Sequence, residues 1–174
     1  MTGKKSEFII GLAGTKRSGK TTAARHLIAL AEQQGLVPIR LGFADPIKAE
    51  VAKIFGTYNE EDKAILRPVY QAVGQSMKEL HGKDIWIKRL LEAWNHYRNH
   101  GYNMLIIDDV RFPFEGEWVR NLGGQVWKII RDTGLKDEHV SETSVKSVKA
   151  DHSILNAMSE QDFLVKVTNT WTQL

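Results

Sequence analysis

The sequence predicts an α/β protein, a three-layer α/β/α arrangement around a central five-stranded, mainly parallel sheet. Short apolar runs alternate along the chain with segments of helical periodicity, which is typical of parallel strands joined by crossover helices. The apolar runs are residues 8–13, 37–43, 104–107, 125–130 and 152–155. A chain of 174 residues is long enough to bury a substantial core, so we expect a single domain over residues 1–174.

Start signals for helices follow several of these runs. They are the N-cap and first-turn proline Asp45-Pro46, the proline Pro68, the N-cap Asp84, and the capping box of Ser159 with Asp162. The first three lie in residues 45–100, which we predict to be a helical insert between the second and third strands. Residues 132–150 are polar and are predicted to form a short lid at the same edge of the sheet.

Composition excludes several classes of protein. The chain contains no cysteine, which excludes disulfides and thiol redox catalysis. The net charge is +3 and the Lys and Arg residues are spread along the chain, so we expect phosphorylated small molecules as partners rather than a nucleic-acid polymer. No apolar run is long enough to span a membrane and the polar start lacks the pattern of a signal peptide, so we expect a cytoplasmic protein without a membrane partner.

The first strand runs directly into a G-x-x-x-x-G-K-T motif that spans Gly14 to Thr21 and is followed by a helical run. A strand before and a helix after are the context that makes this motif a phosphate-binding loop. Its two glycines let successive N–H groups converge on phosphate oxygens, and the helix adds unpaired N–H groups and a positive dipole end. Lys20 supplies a charge for the β- and γ-phosphates, and the Thr21 hydroxyl is a ligand for Mg²⁺. The sequence therefore predicts binding of a nucleoside triphosphate.

The third strand ends in two carboxylates. A buried strand that delivers an aspartate at its carboxyl end, across from the loop threonine, is typical of the Mg²⁺ side of these folds. Asp109 is the first candidate and Asp108 the second, because neighbouring residues of a strand point to opposite faces. Asp108 either has this role or only caps the turn before Phe112-Pro113. Arg111 shares the face of Asp109 and is predicted to bind a phosphate with its guanidinium fork. Glu115, in the first turn of the next helix, either orients that arginine or is an ordinary helix-start carboxylate.

Candidates for binding the phosphoryl acceptor follow the second strand and lie in the helical insert. Asp45 and Lys48 would face the cleft where the acceptor enters, and Asp45 is a helix N-cap in either case. Arg67 and Gln71, one helical turn apart, are candidates for the acceptor's phosphate and base, or else they are a solvated helix start. A helical insert together with a polar cover favours a kinase over a GTPase, because transfer to a small acceptor requires water to be excluded.

Four further residues have two interpretations each. Lys16 and Arg17 lie inside the phosphate-binding loop, where their charge either helps to neutralise the γ-phosphate or to reach the acceptor, or else is solvated at the surface. His96 and His100 have the i, i+4 spacing of a metal pair. No third ligand is evident for them, so we interpret the pair as surface residues.

With these residues in place, the chain resembles the deoxynucleoside monophosphate kinases of bacteriophages, within the P-loop nucleotide kinases. The resemblance covers most of the chain in short blocks, at residues 11–22, 43–48, 67–74 with Asp84 and Trp86, 109–115, 139–142 and 151–156. The combination of Phe-Ala-Asp-Pro at 43–46, Asp-Val-Arg-Phe-Pro at 109–113 and His-Val-Ser-Glu at 139–142 is selective, whereas many activities share the phosphate-binding loop. Dephospho-coenzyme A kinase and phosphomevalonate kinase resemble this general layout and remain alternatives.

The resemblance implies transfer of the ATP γ-phosphate to a deoxynucleoside 5′-monophosphate with Mg²⁺ as cofactor, and a phage origin implies the host cytoplasm. ATP is placed on Gly14, Thr15, Arg17, Ser18, Gly19, Lys20, Thr21 and Thr22, with adenine near Asn156. The monophosphate is placed on Phe43, Asp45, Arg67, Gln71, Trp86 and Arg111. Here Trp86 either stacks on the base or belongs to the core. Arg131 would close over the triphosphate, and His139, Ser141 and Glu142 resemble the lid motif.

Residues 132–150 differ from the lids of many nucleotide kinases because they contain lysines and no arginine. A guanidinium matches phosphate geometry better than an ammonium, so Lys16, Arg17, Arg111 and Arg131 carry more of the charge stabilisation in this hypothesis, or a lid lysine does. A P-loop ATPase that uses hydrolysis as a switch is the alternative from another class, and the helical insert and polar lid argue against it. The aromatic residues Trp94, Tyr97 and Trp118 belong either to the core or to the interface of a homodimer.

Overall fold

The computed structural model describes residues 7–56, 60–132, 134 and 143–174, with side chains described at all of these positions except 60, 61, 63 and 64. Strands and helices alternate as the apolar pattern predicts. The strands are β1 (Phe8–Ala13), β2 (Pro38–Leu41), β3 (Met104–Val110), β4 (Gln125–Ile130) and β5 (His152–Leu155). The helices are α1 (Lys20–Gln33), α2 (Asp45–Phe55), α3 (Glu60–His81), α4 (Ile85–Asn99), α5 (Pro113–Asn121) and α6 (Glu160–Trp171), with a 3₁₀ turn at Val145–Ser147.

The strands form one parallel sheet in the order β2-β3-β1-β4-β5, which confirms the predicted fold class. β1 lies at the centre, because its apolar residues are suited to burial between helices and both of its edges are paired. The winding of the chain reverses at β1 and β3, and ligands of such sheets bind at the carboxyl ends of the strands that flank this point. Ala13 is in register with Val110, so the loop after β1 begins beside the end of β3.

Helices cover both faces of the sheet. On one face, α1 and α6 bury apolar side chains such as Phe163 against β1 and β4. On the other face, α4 and α5 bury Trp94 and Val119, and Tyr97 and Trp118 pack at the border of the same cluster. These aromatic residues are therefore part of the core. Among the described residues, no helix combines the length and the apolar content that crossing a bilayer requires.

Two helix starts differ from the prediction. Pro68 does not open a helix, because α3 begins at Glu60 and contains Pro68 in its interior. Residues 60–67 continue the same helical register, and proline removes only one backbone hydrogen bond from a helix of 22 residues. The N-cap position of α2 is occupied by Ala44, so Asp45 lies in the first turn rather than at the cap. Its carboxylate is therefore available to partners other than the helix end.

The other two helix starts are confirmed. Asp84 occupies the N-cap position of α4. Ser159 occupies the N-cap position of α6, where its hydroxyl accepts a hydrogen bond from the Asp162 N–H at 3.1 Å. Capping by Ser159 satisfies one of the N–H groups that a helix start leaves unpaired.

The last part of the predicted lid is anchored to the domain. Val145 and Val148 are 1% and 3% exposed and pack into the core on the α4 and α5 side. The Lys128 ammonium on β4 donates hydrogen bonds to the carbonyls of Lys146 at 2.8 Å and Val148 at 3.2 Å. The residues from Val145 to Val148 are therefore fixed to the core and are not part of a lid that closes.

Candidate active site

At two positions, the loop after β1 has a backbone conformation that only glycine adopts without strain. Gly14 has a φ of 153° and Gly19 a φ of 110°. A Cβ on Gly14 would lie 2.6 Å from the Ile129 carbonyl oxygen, and a Cβ on Gly19 would lie 2.6 Å from Nδ2 of Asn156. The loop therefore closes tightly against the residues at the ends of β4 and β5.

The N-terminus of α1 presents the backbone N–H groups of its first turn. The first hydrogen bond inside the helix runs from the Ala23 N–H to the Gly19 carbonyl at 2.9 Å. The N–H groups before Ala23 have no carbonyl one turn back within the helix, and they carry its positive dipole end. They belong to Lys20, Thr21 and Thr22. A phosphate group fits this position because both the donors and the dipole favour an anion.

The Lys20 side chain is held at the loop. Its ammonium donates to the Gly14 carbonyl at 2.8 Å and to the Thr15 carbonyl at 2.7 Å. These bonds bring the positive charge back over the loop that the motif assigns to phosphates. Thr21, the next residue, is exposed at the first turn of α1, so its hydroxyl is accessible to a ligand.

Asn156 lies behind the loop. Its side-chain amide donates to the Ser18 carbonyl at 2.9 Å, and the residue is 6% exposed. Its backbone N–H donates to the Ile130 carbonyl, at the end of β4, at 2.8 Å. The adenine contact of Asn156 stays a prediction, whereas its bond to the loop is a contact that the sequence analysis missed.

The Asp109 carboxylate binds the segment that follows β2. Its Oδ1 accepts the Phe43 N–H at 2.8 Å and its Oδ2 accepts the Ala44 N–H at 2.9 Å. Burial raises the pKa of Asp109 above its ordinary value, the two N–H bonds oppose this shift, and the charge of Asp108 adds to it. Asp109 therefore fixes the backbone of residues 43 and 44, and its role on the Mg²⁺ side stays a prediction.

Arg40 on β2 is a charged residue of this edge that the sequence analysis missed. Its guanidinium contacts the carboxylates of Asp108 at 2.8 Å and Asp45 at 3.2 Å. Asp45 also contacts the Lys48 ammonium at 2.8 Å and accepts the Gly42 N–H at 2.7 Å. The sequence offered one signal for this contact. Arg40 is a charged residue within an otherwise apolar strand, and such a charge is tolerated there when an opposite charge pairs with it. The ends of β2 and β3 are therefore joined by an ion-pair network.

Glu115 fixes the backbone where β3 leads into α5. Its Oε2 accepts the Arg111 N–H at 2.8 Å and the Phe112 N–H at 3.0 Å. Burial raises the pKa of Glu115 to about 7, with the Arg111 N–H opposing the shift and the charge of Asp109 adding to it. The Lys78 ammonium lies 4.4 Å from the centre of the Phe112 ring. Its positive charge favours the charged form of the Glu115 carboxylate, which opposes the rise in the pKa. Glu115 thus holds the backbone of Arg111, and orientation of the Arg111 side chain by Glu115 stays a prediction.

We expect the stability of the wild-type protein to fall with rising pH relative to that of Glu115→Gln. Because the folded pKa of about 7 lies above the ordinary 4.5, the folded state binds the proton more tightly. This stabilisation is complete below about pH 4.5 and is lost as the pH rises through about 7. The difference in the free energy of unfolding should change by up to about 1.4 kcal/mol per pH unit in this window.

Urea titrations of both proteins across this pH window measure the difference. Glutamine keeps an oxygen that can accept both N–H bonds, so the comparison isolates the titration of Glu115. Glu117→Gln, at an exposed position of the same helix, is the matched control and should follow the wild type. Parallel profiles for the wild type and Glu115→Gln would contradict the prediction.

The residues predicted to contact the acceptor divide into buried and accessible ones. Phe43 is 4% exposed and its ring packs edge-on against Trp118. Trp86 is 5% exposed, and its indole N–H donates to the Gly74 carbonyl at 3.3 Å. Trp86 therefore lies in the core, which is the second of its two interpretations. The other four residues are half-buried, so part of each side chain is accessible to an acceptor: Asp45, Lys48, Arg67 and Gln71.

The remaining predicted residues lie at the edges of the site or outside the described residues. Arg17 and Arg131 are exposed, Lys16 and Arg111 are half-buried, and the lid residues His139, Ser141 and Glu142 fall outside the described residues. His96 and His100 are exposed, with ring centres 4.4 Å apart. In the described ranges, His, Asp and Glu side chains form no group of three or more that could hold a metal ion.

Comparison with known proteins identifies the family. The deoxynucleotide monophosphate kinase family matches residues 57–167. The chain belongs to this family. A protein of Acanthamoeba polyphaga mimivirus that carries the name of a deoxynucleotide monophosphate kinase is 29% identical over 185 residues, which cover 91% of this chain and 93% of the relative. This member of the deoxynucleotide monophosphate kinase family is therefore a phosphotransferase of nucleotide metabolism.

A solved kinase structure resembles this family member in fold. The APS kinase of Mycobacterium tuberculosis has a TM-score of 0.52 at 11% identity, covering 96% of this chain and 98% of that chain. The shikimate kinase of Aquifex aeolicus has a TM-score of 0.49 at 13% identity, covering 94% and 96%. The first comparison confirms the kinase fold, and at this identity it concerns the fold alone.

Kinases of this fold commonly use Mg²⁺, and the predicted ligands Thr21 and Asp109 have the oxygen chemistry that such an ion needs. Mg²⁺ in kinase sites is held by one or two protein oxygens together with substrate phosphates. Thr21 offers an accessible hydroxyl. Each oxygen of the Asp109 carboxylate accepts one N–H, and a carboxylate oxygen has a second lone pair for a cation. Hard oxygen ligands of this kind are those that Mg²⁺ prefers.

Proposed function

We propose that this kinase transfers the γ-phosphate of ATP to a deoxynucleoside 5′-monophosphate, releasing ADP and the deoxynucleoside diphosphate. The observation that carries the proposal is the family match over residues 57–167. This range begins after the phosphate-binding loop, so the match does not depend on a motif that many nucleotide-binding proteins share. It covers α3, α4 and the turn into α5, where the acceptor candidates Arg67, Gln71 and Arg111 lie.

ATP binds, in this proposal, along the loop and the N-terminus of α1. Backbone N–H groups and Lys20 contact the phosphates, and Lys16, Arg17 and Arg131 add positive charge around the transferring group. Mg²⁺, when bound, neutralises phosphate charge, and Thr21 and Asp109 are the residues that would hold it.

The acceptor monophosphate binds on the other side of the cleft. Asp45 and Lys48 at the start of α2, and Arg67 and Gln71 on α3, face it within the insert 45–100, and Arg111 binds its phosphate. The acceptor phosphate oxygen is already an anion, so no strong general base is required. In-line positioning and fixed cations supply the catalysis, and closure of a lid within residues 132–144 excludes water.

ADP formation from Mg-ATP with a panel of acceptors tests this function. The panel contains no acceptor, each deoxynucleoside monophosphate, AMP, dephospho-coenzyme A and phosphomevalonate. We expect strong stimulation by at least one deoxynucleotide. Stimulation by a non-nucleotide alone would reject the proposed acceptor and keep the kinase, and steady ADP release without any acceptor would indicate an ATPase instead.

We expect Arg111→Ala to raise the KM for the acceptor about tenfold or more, and the KM for ATP much less. The reason is that Arg111 follows β3 on the acceptor side, with its backbone fixed by Glu115. Steady-state kinetics with each substrate varied in turn measure the two constants. Arg89→Ala, which removes a cation from an exposed ion pair on α4, is the control. Equal increases in both constants would contradict the assignment of Arg111 to the acceptor.

A further inference from the structure

Asn156 joins the end of β5 to the phosphate-binding loop from inside the protein. Its Nδ2 donates to the Ser18 carbonyl at 2.9 Å, and its backbone N–H donates to the Ile130 carbonyl at 2.8 Å. Asn156 is 6% exposed and Ser18 is 0% exposed, so water does not compete for this bond. A Cβ on Gly19 would come within 2.6 Å of Nδ2, which shows how closely the amide approaches the loop.

The bond to Ser18 sets the direction of the next backbone N–H. The Ser18 carbonyl and the Gly19 N–H belong to one planar trans peptide, in which the two groups point in opposite directions. Asn156 draws the carbonyl towards the protein interior. The Gly19 N–H therefore points away from the interior, towards the side of the loop that the motif assigns to phosphates.

We propose that Asn156 is a positioning residue for ATP, which holds the Ser18–Gly19 peptide in the orientation that presents the Gly19 N–H to a phosphate oxygen. Without the amide, the buried Ser18 carbonyl loses its partner, and rotation of this peptide towards water becomes favourable. Glycine at position 19 has the backbone freedom to permit that rotation. A rotated peptide would turn a carbonyl oxygen towards the phosphates and repel them.

The proposal rests on ATP as the phosphoryl donor of the proposed function, and it is tested by binding without any acceptor. Titration calorimetry gives the Kd of Mg-ATP and of Mg-tripolyphosphate, which lacks the base and the sugar. We expect Asn156→Ala to raise both Kd values about tenfold. Asn156→Asp has nearly the same shape but no N–H donor, and it adds a negative charge behind the loop. We expect it to raise both Kd values further.

Asn103 provides a matched control. It is also 6% exposed, and its Oδ1 accepts the Val37 N–H at 2.7 Å, at the amino ends of the strands and away from the loop. We expect Asn103→Ala to lower the thermal midpoint and to leave both Kd values unchanged. Asn156→Asp provides the measurement if Asn156→Ala does not fold.

Three results would overturn the positioning role. Unchanged Kd values in both Asn156 variants would show that the loop does not need the amide. A loss confined to Mg-ATP would mean that Asn156 recognises adenine rather than positions the loop. An equal loss in Asn103→Ala would show that any destabilisation of the domain weakens binding. Failure of the acceptor panel alongside the expected Kd values would reject the proposed acceptor and leave this inference standing.

Discussion

We expect Lys20→Ala to lower kcat/KM for phosphoryl transfer by about 10²- to 10³-fold. The Lys20 ammonium is held at the loop by the carbonyls of Gly14 at 2.8 Å and Thr15 at 2.7 Å. A cation already in place stabilises the charge of the transferring phosphoryl group without reorganisation at the moment of reaction. Alanine removes this cation and leaves two carbonyl oxygens at the loop, which repel phosphate. ADP formation with Mg-ATP and the accepted monophosphate measures the loss.

The fold should survive this substitution, because the Gly14 and Thr15 carbonyls that bind the Lys20 ammonium lie in the loop itself and not in the core. Thermal unfolding of the variant checks this point. Lys166→Ala is the matched control, since the Lys166 ammonium also donates to a backbone carbonyl, that of Leu155 at 3.0 Å, but on α6 and exposed. It should keep wild-type turnover. A folded Lys20→Ala enzyme with turnover near that of the wild type would remove the basis for placing phosphoryl transfer at this loop.

The strands and the tight glycine turns of the loop after β1 were predictable because both depend on residues that are close in sequence. Each apolar run became a strand. Burial on both faces selects a continuous apolar run in the inner strands β1 and β3. Gly14, Gly19 and Lys20 have a fixed spacing within the short loop between β1 and the start of α1. Helix starts were less predictable: Pro68 lies inside α3 because the register of the surrounding turns outweighs one missing hydrogen bond.

The partners of the polar side chains could not be predicted, because they depend on which strands become neighbours. Asp109 binds the N–H of Phe43, which is 66 positions away, only because β2 lies beside β3 in the sheet. Asn156 binds the Ser18 carbonyl across 138 positions for the same kind of reason. Strand alternation separates the faces of Asp108 and Asp109 but does not say what each face meets. The sequence thus indicated the charged residues Asp45, Asp108 and Asp109 at this edge but not Arg40, and the strand order determined their contacts.

We expect Arg40→Met to lower the free energy of unfolding by about 2 kcal/mol. Asp108 is 7% exposed, and its carboxylate contacts the Arg40 guanidinium at 2.8 Å. Methionine keeps most of the apolar stem and removes the charge, so Asp108 is left buried beside Asp109 without its cation. Removing one partner of a fully buried pair costs more than this, but the Arg40 side chain is 36% exposed and water screens part of the interaction. Urea unfolding at neutral pH measures the change.

A second substitution separates this ion pair from simple loss of packing. If the destabilisation comes from the unpaired carboxylate, adding Asp108→Asn to Arg40→Met should restore part of the stability, because the neutral amide has a lower cost of burial. Arg89→Met, in a pair with Glu92 whose side chains are 52% and 66% exposed, should change the free energy of unfolding by less than about 0.5 kcal/mol. An Arg40 variant as mild as the Arg89 variant would show that the network does not hold β2 to β3. Arg40 also contacts Asp45 at 3.2 Å, so the same guanidinium positions the start of α2. If Arg40→Met lowers the free energy of unfolding as expected, it should therefore also raise the KM for the acceptor.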